Sequence, residues 1–185
     1  DEDVEIDAVD MVWALFGTAV HSVLENSNTY PRIGHPSEKI INEERLYSDR
    51  NGWTISGAID RQEIRDGVAT LIDYKVTSVW SVIYGKPEWD KQLNCYGWLF
   101  RESHLSKKWR PKSLKICAIL RDWNRRDAER KEGYPKAPIV FVDIPLWDDD
   151  VIEKYICDRI ALHQEAQIGY DLDGILPLCS DEEMW

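Results

Sequence analysis

Val68-Ala69-Thr70-Leu71-Ile72-Asp73-Tyr74-Lys75-Val76 is an apolar run that ends in an acidic and a basic side chain two residues apart. Its apolar and β-branched positions predict a strand over 68–76, opened by the turn pair Asp66-Gly67. Side chains alternate along a strand, so Asp73 and Lys75 share one face at the end of an apolar run. Toward the N-terminus, residues 53–64 and 39–48 also have strand character, and Asp49-Arg50-Asn51-Gly52 between them has the chemistry of a hairpin turn. Three strands joined this tightly predict an antiparallel meander. In a meander, Asp60 at the end of Ser56-Gly57-Ala58-Ile59-Asp60 can converge with Asp73 at one place on the sheet.

Farther out, Val9, Val12, Trp13, Phe16, Val20, Val23 and Leu24 recur at helical spacing and predict an amphipathic helix over 8–26. Gly17 inside it costs about 1 kcal/mol relative to alanine, which leads us to expect something packed closely against the backbone there. Residues 28–37, with two prolines and Gly34, form a loop. After a second loop through Gly85 and Pro87, residues 88–103 place Trp89, Leu93, Tyr96 and Phe100 on one helical face. Strands are expected at 114–123 and 138–146, with a basic gap between them, and a last helix at 148–167, opened by three aspartates that suit a helix N-terminus. The element order is α-β-β-β-α-β-β-α. This makes the chain an α/β protein of the α+β kind, with a central sheet flanked by helices, and a single domain over 1–185. Because it starts at Asp1 and stops after an acidic run, both ends are expected to be truncated or processed.

The 185 residues, 43% hydrophobic and 31% charged, suit one globular domain and exclude intrinsic disorder. No apolar run reaches the roughly 18–20 residues a membrane helix needs, and no signal peptide opens the chain; no membrane association and a cytoplasmic location are expected. Cys95, Cys117, Cys157 and Cys179 lack C-x-x-C spacing, so neither a zinc site nor an iron–sulfur cluster is signalled. A formal charge of −11 argues against coating nucleic acid by bulk attraction. Charge is unevenly spread, however: between residues 101 and 131 eleven basic residues face four acidic ones. That segment reads equally well as a solvated surface or as a phosphate-tracking patch. Nine tryptophans are many for this length; core packing is the ordinary explanation, and a stacking surface for unpaired bases is the functional one.

Two carboxylates in one place repel each other unless a cation such as Mg²⁺ or Mn²⁺ lies between them. Lys75 would stand beside that ion, where phosphodiester hydrolysis needs an oriented water and offset anionic charge. Taken alone, an Asp-x-Lys triplet is usually an exposed ion pair. His21 on the first helix, with Glu25 one turn later, is by itself more often a packing residue, though an imidazole suits a third metal position. Gln92 and Tyr96, four apart on the second long helix, would otherwise be a surface amide and a half-buried aromatic.

Taken in order, Gly17-Thr18-Ala19-Val20-His21, Gly57-Ala58-Ile59-Asp60, Asp73-Tyr74-Lys75 and Gln92-Leu93-Asn94-Cys95-Tyr96 resemble the PD-(D/E)XK nuclease superfamily, in its RecB-like exonuclease branch. The resemblance implies a restriction-endonuclease-like core with a mixed sheet. It implies that His21, Asp60, Asp73 and the Tyr74 backbone carbonyl ligate Mg²⁺ or Mn²⁺, and that Lys75 is the catalytic lysine. Gln92 and Tyr96 match the Q-x-x-x-Y helix that lines the active centre and helps hold substrate. Thr77 and Ser78 look like phosphate-contacting hydroxyls, and Glu25 like a partner supporting His21. The cysteine cluster of the iron–sulfur members is missing, and the tail from Leu178 to Trp185 is most similar to phage-type members. The implied activity is a DNA nuclease, an exonuclease working from DNA ends or on single strands, with recombination or phage replication proteins as partners. A nuclease-fold module that binds DNA ends or protein without cutting is the alternative, and a small-phosphoester hydrolase a more remote one.

Overall fold

Tight two-residue turns organise the N-terminal half of the sheet. The computed structural model describes residues 8–25, 38–104, 107–174 and 176; the loop expected at 28–37 and the tail from Leu178 lie outside the described residues. β1 (Glu38–Arg50), β2 (Trp53–Arg65) and β3 (Val68–Thr77) form the antiparallel meander. Asn51-Gly52 and Asp66-Gly67 join them with positive φ at both residues of each pair (51° and 78°). That conformation matches the right-handed twist of the strands and is the one Asn-Gly and Asp-Gly adopt at least cost. Such turns also fix register, closing on Arg50↔Trp53 and Arg65↔Val68.

From β3 the chain passes through α2 (Val79–Tyr84) and α3 (Pro87–Ser103) to β4 (Arg110–Leu120), which pairs parallel to β3. A parallel neighbour requires such a helical crossover. A short helix, α4 (Arg125–Arg130), leads to β5 (Ile139–Ile144), antiparallel to β4, and the long α5 (Asp149–Asp173) follows; α1 (Ala8–Glu25) precedes the sheet. The result is a five-stranded mixed sheet in the order β1-β2-β3-β4-β5, flanked by helices.

The main core lies under α3. Trp89, Leu93, Leu99 and Phe100 meet Leu46, Ile59, Leu71, Leu114, Ile116 and Ala118 from the sheet. α5 covers α3 through Ile152, Ile156 and Ile160, spaced four apart. On the opposite face Ile72, Tyr74 and Cys117 form a smaller cluster under Leu24 of α1.

Several expectations need correction. Two short helices, α2 and α4, were not foreseen, because six-residue helices carry too few apolar repeats to register as a period. The expected strand at 114–123 begins earlier and ends at Leu120, since Asp122 and Asn124 turn outward to cap α2 and α4. The strand at 138–146 is shorter, ending at Ile144. The last helix runs past 167 to Asp173, where Gly174 takes the left-handed conformation that ends helices (φ 69°). The apolar stripe of α1 is largely exposed, including Val12, Trp13, Phe16 and Val23, and nothing lies within 4 Å of a Cβ placed on Gly17. α1 touches the sheet mainly at β3.

One buried side chain closes the crossover. Asn94 is 2% exposed; its amide donates to the Asp90 and Pro145 carbonyls (2.8 and 3.0 Å), and its oxygen accepts from the Trp147 amide (2.8 Å). Asn94 thus ties α3 to the link between β5 and α5. Asn94→Ala would take these partners from the Pro145 carbonyl and the Trp147 amide, at about 1–3 kcal/mol for each. We expect a loss of about 2–4 kcal/mol and a melting temperature lower by roughly 5–15 °C, read by thermal denaturation followed by circular dichroism.

Candidate active site

The two turns align three carboxylates. Counting seven residues outward from Arg50↔Trp53 reaches Glu43 and Asp60, and counting five outward from Arg65↔Val68 reaches Asp60 and Asp73. Glu43, Asp60 and Asp73 therefore stand in one row across β1, β2 and β3. At that row the ladder lapses: β1–β2 pairing passes from Asn42↔Arg61 to Glu44↔Ile59, and β2–β3 pairing stops at Arg61↔Ile72. Glu43 has a positive φ of 51°, which a residue other than glycine adopts only under local constraint.

Where the ladder lapses, side chains take over its hydrogen bonds. Asp60, 7% exposed, accepts the Tyr74 amide proton on Oδ2 (2.7 Å). His21 of α1 lies 2.9 Å from the Tyr74 carbonyl through Nε2, which donates, while its Nδ1 is 3.6 Å from Asp60 Oδ2. The two peptides that flank Tyr74 are each held, one by Asp60 and one by His21, and α1 is anchored at the row. The Tyr74 ring meets His21 edge-on and packs with Ile72 and Cys117, on the face away from Asp73.

Asp73 is buried (2% exposed). Its Oδ1 accepts from Gln92 Nε2 (3.2 Å), and its Oδ2 is 2.8 Å from Lys75 Nζ. The ammonium is close but poorly aligned, and Oδ2 accepts no regular hydrogen bond. Gln92 also donates to the Tyr96 hydroxyl (3.0 Å). Gly57 makes room for this ring: a Cβ there would sit 2.8 Å from Tyr96 Cε1. Burial keeps the Tyr96 phenol above its ordinary range, so it stays protonated.

His21, Asp60, Asp73, Lys75, Gln92, Tyr96 and the Tyr74 carbonyl thus come together. Thr77 and Ser78 sit just beyond, at the end of β3; the Ser78 hydroxyl caps α2 by accepting from the Ser81 amide, and the Thr77 carbonyl accepts from the Arg121 amide (3.0 Å). Glu25 ends α1, and its side chain lies outside the described residues.

Glu43 is the site residue that sequence reasoning missed. His21, Glu43 and Asp60 each offer a ligand atom within 4.8 Å of the others. The signal for Glu43 was present, because the register of a two-residue Asn-Gly hairpin places residue 43 opposite residue 60. Carboxylate and imidazole donors are a set suited to a hard divalent cation; Asp73, whose Oδ2 pairs with Lys75 at 2.8 Å, is not one of these three. Glu43→Ala is expected to weaken Mn²⁺ binding measured by titration calorimetry without lowering the melting temperature, since its side chain is exposed.

Burial raises the Asp73 carboxyl to about 6, assisted by Asp60 and opposed by Lys75 and His21. The folded protein therefore holds this proton more tightly than the unfolded chain does. The resulting stabilisation is complete below the ordinary value of 3.8 and is lost as pH rises through about 6. Asp73→Asn mimics the protonated form. Without metal, the variant's stability advantage should widen by on the order of 3 kcal/mol between about pH 4 and about pH 8, measured by urea denaturation; a pH-independent difference would show that the buried carboxyl is not the cause.

No protein-family model matches the chain, and no curated protein matches it in sequence. Among solved structures, the chain is similar to the crystal structure of SSO0001 with a TM-score of 0.49 at 20% identity, covering 84% of this chain and 64% of that one. It is similar to that of a "Putative exonuclease" from Eubacterium rectale with a TM-score of 0.42 at 12% identity, covering 78% of this chain and 49% of that one. The chain spans less than two thirds of the length of either neighbour.

Proposed function

We propose that the chain is a divalent-metal-dependent deoxyribonuclease of the PD-(D/E)XK superfamily, in its RecB-like branch, which hydrolyses phosphodiester bonds as an exonuclease at DNA ends or on single strands. The observation that carries this reading is the convergence of His21, Asp60, Asp73, Lys75 and Gln92, drawn from α1, β2, β3 and α3, on one interrupted row of the sheet. Ion pairs between neighbours in sequence arise easily; five chemically matched groups from four elements are a far more restrictive arrangement.

Asp60, Asp73, His21 and the Tyr74 carbonyl would hold Mg²⁺ or Mn²⁺, with Glu43 beside them. When bound, such an ion polarises a phosphoryl oxygen and acidifies water. The remaining work falls to the chain's own groups. Lys75, tied to Asp73 at 2.8 Å, orients the attacking water and offsets charge gathering on the phosphoryl oxygens. Gln92 fixes the Asp73 carboxylate and, through the same amide nitrogen, the Tyr96 hydroxyl, so α3 sets the orientation of the acidic group and lines the approach of the substrate. Asp60 holds the peptide that enters Tyr74 through its N–H, and His21 Nε2 holds the next one through the Tyr74 carbonyl. The biological setting we assign is processing of DNA ends in recombination, repair or phage replication.

Incubation with 5′- and 3′-labelled linear DNA and with circular DNA, in the presence of Mn²⁺, tests the reading. Release of nucleotides from linear ends is expected, with circles spared. Lys75→Ala should slow cleavage by about 10²–10⁴-fold, the range of one positioned acid–base group, and chelation should abolish it. No cleavage of any form, or full activity in Lys75→Ala, contradicts the proposal.

A further inference from the structure

The tryptophans divide by role. Trp89 and Trp98 are buried, and Trp109, Trp123 and Trp147 pack against the core. Trp53 stacks on His163 at the β1–β2 turn. Trp13 and Trp80 are exposed, at 46% and 53%. Trp80 stacks on Tyr84 one turn later in α2, with ring centroids 5.8 Å apart and planes 13° from parallel, and Tyr84 is 79% exposed.

This exposed ring pair follows the Asp73–Lys75 segment closely along the chain. α2 begins at the end of β3, and Trp80 is five residues past Lys75, within roughly 15 Å by the rise of strand and helix. The Val79 amide donates to Asp122 Oδ1 (2.7 Å), and the Arg121 amide to the Thr77 carbonyl (3.0 Å). These two bonds tie the turn after β4 to the start of α2. That turn and α4 present Arg121, Arg125 and Arg126, all exposed, within the segment that is basic in an otherwise acidic chain. The Arg121 guanidinium lies 4.8 Å over the Trp13 ring, which meets Phe16 edge-on at 6.4 Å. Exposed aromatic faces and guanidinium groups thus lie together along the edge where β3 and β4 end.

We propose that Trp80 and Tyr84, with Trp13 and Arg121, form a platform for an unpaired polynucleotide strand leading to the Asp73–Lys75 site. The proposal rests on the nuclease reading and specifies its substrate: rings accept the faces of unpaired bases, and arginines meet the phosphates. A duplex hides its base faces and cannot use the rings in this way. The complementary charge is local, which reconciles nucleic-acid binding with a net charge of −11.

The test measures binding of fluorescein-labelled oligo-dT and of a blunt DNA hairpin by fluorescence anisotropy, with EDTA present to prevent cutting. For the wild type we expect tighter binding of oligo-dT than of the hairpin. Trp80→Ala with Tyr84→Ala should weaken oligo-dT binding by about five-fold to a hundred-fold, the loss of one or two stacked bases, and leave hairpin binding nearly unchanged. Trp80→Phe with Tyr84→Phe should restore most of the affinity. Tyr84→Ala alone gives the same test if the double variant fails to melt cooperatively.

Unchanged oligo-dT affinity in the alanine variants, equal losses for strand and hairpin, or no oligo-dT binding by the wild type would each overturn the platform. Digestion of labelled linear DNA with Mn²⁺, run in parallel, separates the two claims. Cutting without ring-dependent binding sinks the platform and keeps the nuclease; ring-dependent binding without cutting does the reverse.

Discussion

The Asp60 carboxylate accepts the Tyr74 amide proton where the β2–β3 ladder ends, and the arrangement of the site depends on that bond. A backbone amide inside a sheet normally bonds to the next strand, and leaving it unpaired would be costly. Here a side chain takes the place of the strand. That substitution lets β2 and β3 part at one row while keeping the peptide fixed, so an acidic group and a carbonyl stay close to Asp73 and Lys75. His21 completes the clamp from the other end of the same residue. It also explains how α1, with most of its apolar stripe exposed, is positioned at all: its docking is concentrated near His21 and Leu24.

Electrostatics and packing oppose each other at this row. Burying Asp73 raises the cost of its charge, and Asp60 adds to that cost, while Lys75 and His21 reduce it without cancelling it. A protein evolved only for stability would place an apolar side chain there. Retaining two carboxylates with one poorly satisfied oxygen, Asp73 Oδ2, leaves an environment whose negative charge a divalent cation would relieve. Similar logic applies to Gly57, where absence of a side chain admits the Tyr96 ring and so lets α3 approach the sheet closely enough for Gln92 to reach Asp73.

Much of this was legible in the residues. Asn51-Gly52 and Asp66-Gly67 specify tight hairpins, and the alternation in 68–76 puts Asp73 beside Lys75; from these the meander and the meeting of Asp60 with Asp73 follow. Glu43 was equally determined by register but was hidden, because it lies between the polar neighbours Asn42 and Glu44 with no periodicity to mark it. The short helices α2 and α4 escaped notice because their formation depends on tertiary caps: the Val79 amide is met by Asp122, forty-three residues away, which no local pattern reveals. The exposed face of α1 misled for the opposite reason. Its spacing is that of a core-facing helix, yet among the described residues only its C-terminal part meets the sheet closely.

The central claim is that Asp60 and Asp73 share one divalent cation with His21. Crystals soaked in Mn²⁺ and measured at the manganese absorption edge test it most directly, since anomalous density locates the ion independently of any reaction. A manganese peak is expected between the Asp60 and Asp73 carboxylates, with His21 within coordination distance. Manganese bound only elsewhere, or none at the row while both carboxylates remain intact and ionised, would contradict it.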